Sequence, residues 1–500
     1  MENDLVQARR NKLQAIKDAG SIPFPNGFSP NITISDFTNS FQKLTREELE
    51  AREKSPKENI IYRVAGRIHL HRVMGKTTFA HIGDHSGRLQ LYLKENLGDD
   101  VNHTPSEQYQ AFKKFDLGDI IGAEGYPYRT QKGELSLRVT RIELLTKSLL
   151  PFPDKHAGLA DLETRYRQRY LDLISNSESM AVFQNRSHIV QAIRIFMVQK
   201  DFLEVETPML HPIPGGANAR PFITHHNTLD LDLYLRIAPE LYLKRLIVGG
   251  LTRVFEINRN FRNEGMSPRH NPEFTMMEFY QAYATHEDLM RLIESLFNSI
   301  QVHLVMAGVD VSKYRGCQFK APFRRISMAA AVQQAVPSVD ISNLDALRNY
   351  AGRYKAYQAS MNRGEVLSLI FEEEVERTLL EPTFITEFPI EISPLARRSD
   401  TKPEVAERFE LYMNGQELAN GFSELNDPDD QADRFRKQVE SRQVTGNQEA
   451  MFFDEDYITA LQYGMPPTAG AGIGIDRLVA ILLDQPSIKD VILFPTQRPK

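Results

Sequence analysis

The stretch VFEINRNFRNE-GMSPRHNP-EFTMMEFY, residues 254–280, reads as two strands joined by a loop. On a strand running through 254–264, Arg262 and Glu264 project from one face. The loop carries Gly265, Pro268, Arg269, His270 and Asn271. On the second strand a period of two places Phe274, Met276, Glu278 and Tyr280 together. An aromatic ring, a carboxylate and a phenol on one face make poor core, because burying Glu278 unpaired would be costly. A solvated face would instead leave Phe274 and Met276 in water. The stretch therefore predicts a sheet that lines a ligand pocket.

Residues 410–424 read ELYMNGQELANGFSE. Asn414-Gly415 between short apolar-containing runs signals a two-residue hairpin. Pairing Met413 with Gln416 sets Tyr412 against Glu417 and Glu410 against Ala419. Glu410 and Glu417 then become diagonal neighbours on one face. Two hard carboxylates with no Cys or His beside them suit Mg²⁺ held partly through substrate phosphates. A pair of solvated glutamates fits the same residues equally well. A regular strand turns Asn420 and Glu424 away from Glu417, so a shared pocket requires a bulge near 419–421. Farther on, AGIGIDR (471–477) leads into an apolar helix. Its glycines admit a close neighbour or ligand, and Arg477 near a helix N-terminus favours anions. A tight strand-to-helix turn explains those residues too. Residues 182–200 carry Phe183, Arg186, Val190, Ile193 and Met197 at helical spacing, and the strand-like 202–207 then ends at Pro208.

The texture upstream is different. Tyr62, Val64, Gly66, Ile68 and Leu70 alternate with other residues, and strands at 77–82, 88–93, 119–126 and 134–144 follow. Five such strands separated by turns suit a small closed barrel of the oligonucleotide-binding type. A basic amphipathic helix at 5–18 precedes them, with a face compatible with a nucleic-acid backbone. The boundaries expected are a helical extension over 1–59, a barrel over 60–148, and a linker over 149–164 around Pro151 and Pro153. A large domain then runs over 165–500, with its longest helical stretch at about 328–380. That domain shows neither a P-loop nor a G-x-G-x-x-G fingerprint.

Composition narrows the function. Among 500 residues, 60 Lys and Arg face 66 Asp and Glu, for a net charge of −6. A protein that coats nucleic acid would be basic, so any such contact here must be local. With 41% hydrophobic and 25% charged residues the chain is neither collagen-like nor wholly disordered. The single cysteine, Cys317, excludes an internal disulfide and a Cys-rich zinc site. No apolar run approaches the ~20 residues that span a bilayer. Glu2 and Asp4 make the N-terminus unlike a targeting signal, so a cytoplasmic protein is expected.

Several segments then combine: RYRQRYLDL (165–173), the helix and strand ending at Pro208, IPGG (213–216), APELYLKRL (238–246), FRNE (261–264), HNPEF (270–274), NGFSEL (420–425) and GIGIDR (472–477). Their order resembles the class II aminoacyl-tRNA synthetases, in particular the bacterial lysyl-tRNA synthetase family, over nearly the whole chain. The resemblance implies an α+β protein, an N-terminal five-stranded OB-type β-barrel followed by a catalytic domain with an antiparallel sheet flanked by helices. It implies ATP- and Mg²⁺-dependent activation of L-lysine to lysyl-adenylate and transfer to the 3′ end of tRNA(Lys). Arg262 and Arg477 would be the catalytic groups on the phosphates, with Glu264, His270 and Phe274 completing the ATP site and Mg²⁺ on Glu410 and Glu417. Lysine would be held by Gly216, Glu240, Glu278, Tyr280, Asn420 and Glu424. Arg72, Phe79 and Gln90 would read the anticodon, although the strand pattern alone makes Phe79 ordinary barrel core. The helix before Pro208 implies a homodimer.

Two carboxylates facing an aspartate side chain would repel it, which favours lysine over the related aspartyl and asparaginyl enzymes. A synthetase-like enzyme that lysylates a protein would resemble the catalytic half only. A non-enzymatic nucleic-acid-binding module would leave the catalytic constellation unexplained.

Overall fold

The backbone follows the sequence pattern in two units, Met1–Gly158 and Leu159–Lys500. The computed structural model describes residues 2–55, 60–96, 106–152, 159, 161–445 and 451–499. Residues 56–59 of the expected extension, and 153–158 and 160 of the expected linker, lie outside the described residues.

In the first unit, strands β1 (Tyr62–Met74), β2 (Thr77–Gly83), β3 (Arg88–Lys94), β4 (Ile120–Arg129) and β5 (Leu135–Thr146) close a barrel in the order β1-β2-β3-β5-β4. Alternation puts Val64, Ile68, Ala80, Ile82, Leu91 and Leu93 inside, all fully buried. Closure brings backbones into contact at Gly125, where β4 bulges against β5. A Cβ there would stand 2.0 Å from the Arg138 carbonyl oxygen. Helices Ile34–Phe41 and Arg46–Lys54 add Phe37, Phe41 and Leu49 to the barrel's apolar cluster.

The second unit contains β6 (Leu203–Glu204), β7 (Leu210–His211), β8 (Phe222–His226), β9 (Leu231–Leu235), β10 (Arg253–Phe261), β11 (Glu273–Ala282), β12 (Arg324–Ser327), β13 (Thr383–Pro389), β14 (Val405–Met413), β15 (Gln416–Ser423) and β16 (Thr468–Gly474). Eight of them form one sheet in the order β12-β13-β14-β15-β16-β11-β10-β6. It is antiparallel except at its edges, where β12–β13 and β10–β6 run parallel. Helices Ser177–Gln199 and His286–Met306 cover one face, packing Ile189, Ile193, Ile293 and Phe297 with Phe255, Met277, Phe279 and Ile473. Asn176 caps the first helix and a Thr285–Asp288 capping box starts the second. The strand period then leaves Met276, Glu278 and Tyr280 for the opposite face.

Three local expectations change. The strand expected to run through Glu264 stops at Phe261. Arg262 N still donates to Pro272 O at 2.9 Å, but proline has no N–H to return, so the ladder ends. In the β14–β15 hairpin, Met413 meets Gln416 and Tyr412 meets Glu417, after which the register shifts and Glu410 pairs with Asn420 rather than Ala419. The extra residue is Leu418, just ahead of the expected 419–421. Leu418 and Ala419 both enter the core, which returns Asn420 to the side that Glu417 occupies. The helical stretch at 328–380 resolves into Met328–Ala335, Leu344–Ala351 and Arg363–Glu374 around an apolar cluster of their own. The longer helices are the two on the sheet, of 23 and 21 residues. No helix among the described residues is long and apolar enough to cross a membrane.

Candidate active site

The sheet face opposite the two long helices opens into a cleft of about 440 Å³. Its wall includes Gly216, Glu240, Arg262, Glu264, His270, Phe274, Glu278, Tyr280, Glu417, Asn420 and Arg477. The depth comes from β16, whose sequence TAGAGIG places Gly470, Gly472 and Gly474 on the cleft side. A Cβ at Gly470 would lie 2.3 Å from the Tyr280 ring and 2.5 Å from Glu424 Oε1, and one at Gly472 would lie 2.7 Å from the end of Met276. Side chains on β16 would thus fill the space that the neighbouring strands use.

At one end of the cleft the carboxylates gather. Glu240 opens helix Glu240–Val248, and Glu278 lies on β11 opposite Gly472. Glu424 is not part of the wall but is buried just behind Gly470. All three are at most 6% exposed. Tyr280 donates to Glu278 at 2.5 Å. Lys244, wholly buried one turn after Glu240, donates to Glu240 Oε1 at 2.5 Å and pairs with Glu424 Oε2. Neither Glu424 oxygen has a hydrogen-bond partner, the contact with Lys244 being an ion pair. Burial, then the neighbouring Glu240, pushes Glu278 up to about 8. Burial also raises Glu240 and Glu424. Gly216, at φ +87°, approaches so closely that a Cβ there would stand 3.0 Å from Glu240 Cβ. Asn420 Oδ1 accepts from Arg408 Nε at 3.0 Å, which leaves its amide N–H groups as donors.

The other end is cationic. The Arg262 guanidinium lies 5.1 Å from the centre of the Phe274 ring, and its buried Nε has no protein partner. Arg477 donates to the Glu417 carbonyl at 2.9 Å and carboxylate at 3.2 Å, and contacts His270 Nε2 at 3.2 Å. Because an arginine only donates, Nε2 accepts, and His270 Nδ1–H donates to Ser267 Oγ at 2.9 Å. Burial, then the positive charge of Arg477, lowers the His270 pKa and keeps it neutral. Asp476 fixes the start of the helix that follows β16, pairing with Arg186 at 2.7 Å and accepting from Thr275 N at 2.8 Å.

A second cavity of about 350 Å³ shares Arg269, His270, Arg408, Glu417 and Arg477 with the cleft and adds Glu410. Glu410 accepts from Arg408 and from Tyr412, each at 2.6 Å. Burial, set against Arg408 and joined by Glu417, pushes Glu410 up to about 7. Among the described residues no three His, Cys, Asp or Glu side chains converge as a complete metal site. A pair of carboxylates, one of them raised beside the other, fits a divalent cation that draws its remaining ligands from phosphate and water.

In the barrel, Phe79 is not core: Thr78, Ala80 and Ile82 fill the inside, and Phe79 faces outward between Arg72 and Tyr92. Its ring stands 5.3 Å from Tyr92, which stacks on Tyr128 at 5.0 Å. Gln90, on the face opposite Leu89 and Leu91, is 7% exposed with no partner on Nε2.

Sequence reasoning missed Lys244, Arg408 and Gly470. The Glu240–Lys244 spacing of four on a helix was the available signal for Lys244. The alternation of glycines across 470–474 was the signal for Gly470. Arg408 had none, because its use depends on the shifted register.

Comparison with known proteins adds the family. The model of class II tRNA synthetases (D, K and N) matches residues 161–498, and that of the OB-fold nucleic acid binding domain matches 62–145. The chain is 52% identical over 505 residues to a lysine–tRNA ligase of Photorhabdus laumondii, covering 100% of this chain and 97% of that protein. Proteins of the same name from Nitrosomonas europaea and Burkholderia thailandensis are 51% and 53% identical, each over 99% of this chain and 97% of their own length.

Proposed function

The chain belongs to the class II tRNA synthetases of the D, K and N group, and from that premise we infer that it is a lysine–tRNA ligase charging tRNA(Lys). The reading is carried by one observation: Glu240, Glu278 and Glu424 line or underlie one end of the cleft, with Tyr280 beside them. That floor suits the ammonium groups of lysine and repels aspartate.

The reaction supplies its own nucleophile, the lysine carboxylate, which attacks the α-phosphorus of ATP and expels pyrophosphate. The protein's task is to align two anions and offset charge growing on phosphate oxygens. Arg262, with its unpartnered Nε, would hold the α-phosphate and the lysine carboxylate, joined by the amide donors of Asn420. Phe274 would stack on adenine on the ring face that Arg262 leaves open, with Glu264 and neutral His270 near the nucleotide. Arg477 would reach the far end of the triphosphate, exchanging its present bonds to Glu417 for phosphate oxygens. Glu410 and Glu417 would hold Mg²⁺. When bound, that ion neutralises phosphate charge and screens the two glutamates from each other. Glu278, Tyr280 and Glu424 would receive the ε-ammonium; Glu240 and the backbone at Gly216 would receive the α-ammonium.

For tRNA, the outward Phe79, Arg72 and the unsatisfied Gln90 amide form a stacking-and-edge-reading set suited to unpaired bases. The dimer is supported by apolar side chains left exposed at the end of helix Ser177–Gln199 and in the segment after it, Val198 at 59%, Leu203 at 52% and Met209 at 45%. A second copy of the chain would cover them in the cytoplasm. Lysine-dependent exchange of labelled pyrophosphate into ATP tests the activation step. Exchange driven by aspartate or asparagine and not by lysine would overturn the reading. Charging of a tRNA(Lys) transcript separates it from lysylation of a protein.

A further inference from the structure

Lys244 has no part in the scheme above, yet among the described residues it is the one ammonium set among the three carboxylates of the floor. It is fully buried, bonded to Glu240 at 2.5 Å and paired with Glu424. Its Nζ also lies 5.3 Å from the Phe422 ring centre and 5.9 Å from that of Tyr280, so both rings wall it off. An ammonium enclosed in this way is retained only where anions hold it. Lys244 reaches Glu424 as an ion pair at Oε2, and neither Glu424 oxygen has a hydrogen-bond partner, so the carboxylate keeps capacity for a further cation.

We infer that Lys244 is the resident counter-ion of the amino-acid chamber, a positioning residue that cancels one of three buried carboxylates and leaves two for the two ammonium groups of the substrate. The inference rests on the lysine reading of the site and deepens it. Three carboxylates and one ammonium sum to a charge of −2 when all are ionised. Lysine brings two ammonium groups there, while its carboxylate goes to Arg262. Without Lys244 the floor would carry a third uncompensated negative charge in a buried setting. In the free enzyme a proton would take its place, and the incoming ammonium groups would lower that carboxyl's pKa and drive the proton off. The groups facing Lys244 and its partners are Glu240 on its own helix, Glu424 past the end of β15, Glu278 and Tyr280 on β11, Tyr457 on helix Glu455–Gln462 and Arg408 on β14. None of these supplies a second cation to the Glu240–Glu424 pair except Arg408, which is already bonded to Glu410 and Asn420.

The test counts protons. The full-length chain, Lys244→Met, and the double variant Lys244→Met/Glu240→Gln are titrated with L-lysine in weakly buffered solution at pH 7 with an indicator dye. Lys244→Met is expected to release about one more proton per lysine bound than the unaltered chain. Its KM for lysine in pyrophosphate exchange should fall more steeply as pH rises. The double variant restores the charge of −2 and binds lysine more weakly for want of Glu240, but once saturated it is expected to return to the proton count of the unaltered chain. A weaker-binding Lys244→Met with an unchanged proton count would mean a packing role only and would overturn the inference. So would a double variant that releases as many protons as the single one. If Lys244→Met fails to fold, Lys244→Gln, which removes the charge and keeps a polar end, is titrated in its place: it must release the extra proton, and an unchanged count overturns the inference. An unaltered chain that binds no lysine would sink the functional reading instead.

Discussion

Two clusters of carboxylates and lysines, one in each unit, behave in opposite ways. In the barrel, Lys147 Nζ meets Asp116 at 2.7 Å and Asp119 at 2.8 Å, and Lys12 also reaches Asp116 at 2.6 Å. The remaining Asp119 oxygen accepts from Asp116 N at 2.8 Å. Burial pushes Asp116 up, but the bonds from Lys12 and Lys147 outweigh it and hold it below its ordinary value. In the cleft, one lysine serves Glu240 and Glu424, Glu278 has only Tyr280, and burial raises all three carboxyls. A cluster that only supports the fold is neutralised and fully bonded. The cleft cluster is left short of a cation, the arrangement expected of a site that would take one from a ligand.

The contrast makes graded predictions. Lys147→Met strands Asp119 in the barrel interior and is expected to cost about 3–5 kcal/mol of stability in urea unfolding. A loss below about 1 kcal/mol would erase the distinction, since the cluster would then contribute nothing to the fold. Glu424→Ala should leave the unfolding midpoint closer to that of the unaltered chain. Its kcat/KM for lysine in pyrophosphate exchange should drop by a factor corresponding to about 2–5 kcal/mol, the worth of one partner in a buried charged pair. Phe79→Ala removes an outward ring and is expected to raise the KM for tRNA by the equivalent of about 1–3 kcal/mol. Pyrophosphate exchange, which needs no tRNA, should be unchanged; a parallel loss there would return Phe79 to a structural role.

The smallest effect is in pH. With Glu278 at about 8, little of it is ionised at neutrality, so the KM for lysine should fall about fivefold from pH 7 to 8 and then level off. In Glu278→Gln that slope should vanish. Stability follows the same proton. A carboxyl whose pKa is higher folded than unfolded binds more protons when folded, so its contribution weakens as pH rises from about 4.5 towards 8. Asp116 has the opposite sign: its contribution is present at neutrality and is lost on acidification, as pH falls through its depressed folded value. Urea midpoints across pH 2 to 8 for Glu278→Gln and Asp116→Asn, each against the unaltered chain, measure the two signs.

Much of the architecture was legible because periodicity and turn residues are local signals. The alternation through 62–70 announced a barrel strand, and the period through 274–280 selected the residues that face the cleft. Asn414-Gly415 announced its hairpin in the right place. The register beyond the turn was not legible, because Leu418 bulges to satisfy the core on the far side of the sheet. The outward face of Phe79 was misjudged for a related reason. An aromatic on a strand fits either side, and only barrel closure shows that Thr78 and Ala80 already fill the inside.

Residue order alone carried the family, the sheet-and-barrel plan and nearly every polar group of the cleft, since each depends on spacing within a short segment or on a motif. Folding in three dimensions decided that Glu424 is buried behind Gly470, that Lys244 shares its charge among residues far apart in the chain, and that Glu410 opposes Asn420. Those outcomes come from long-range packing and from the summed field of groups brought together by different strands and helices. Neither is written in any one stretch of sequence.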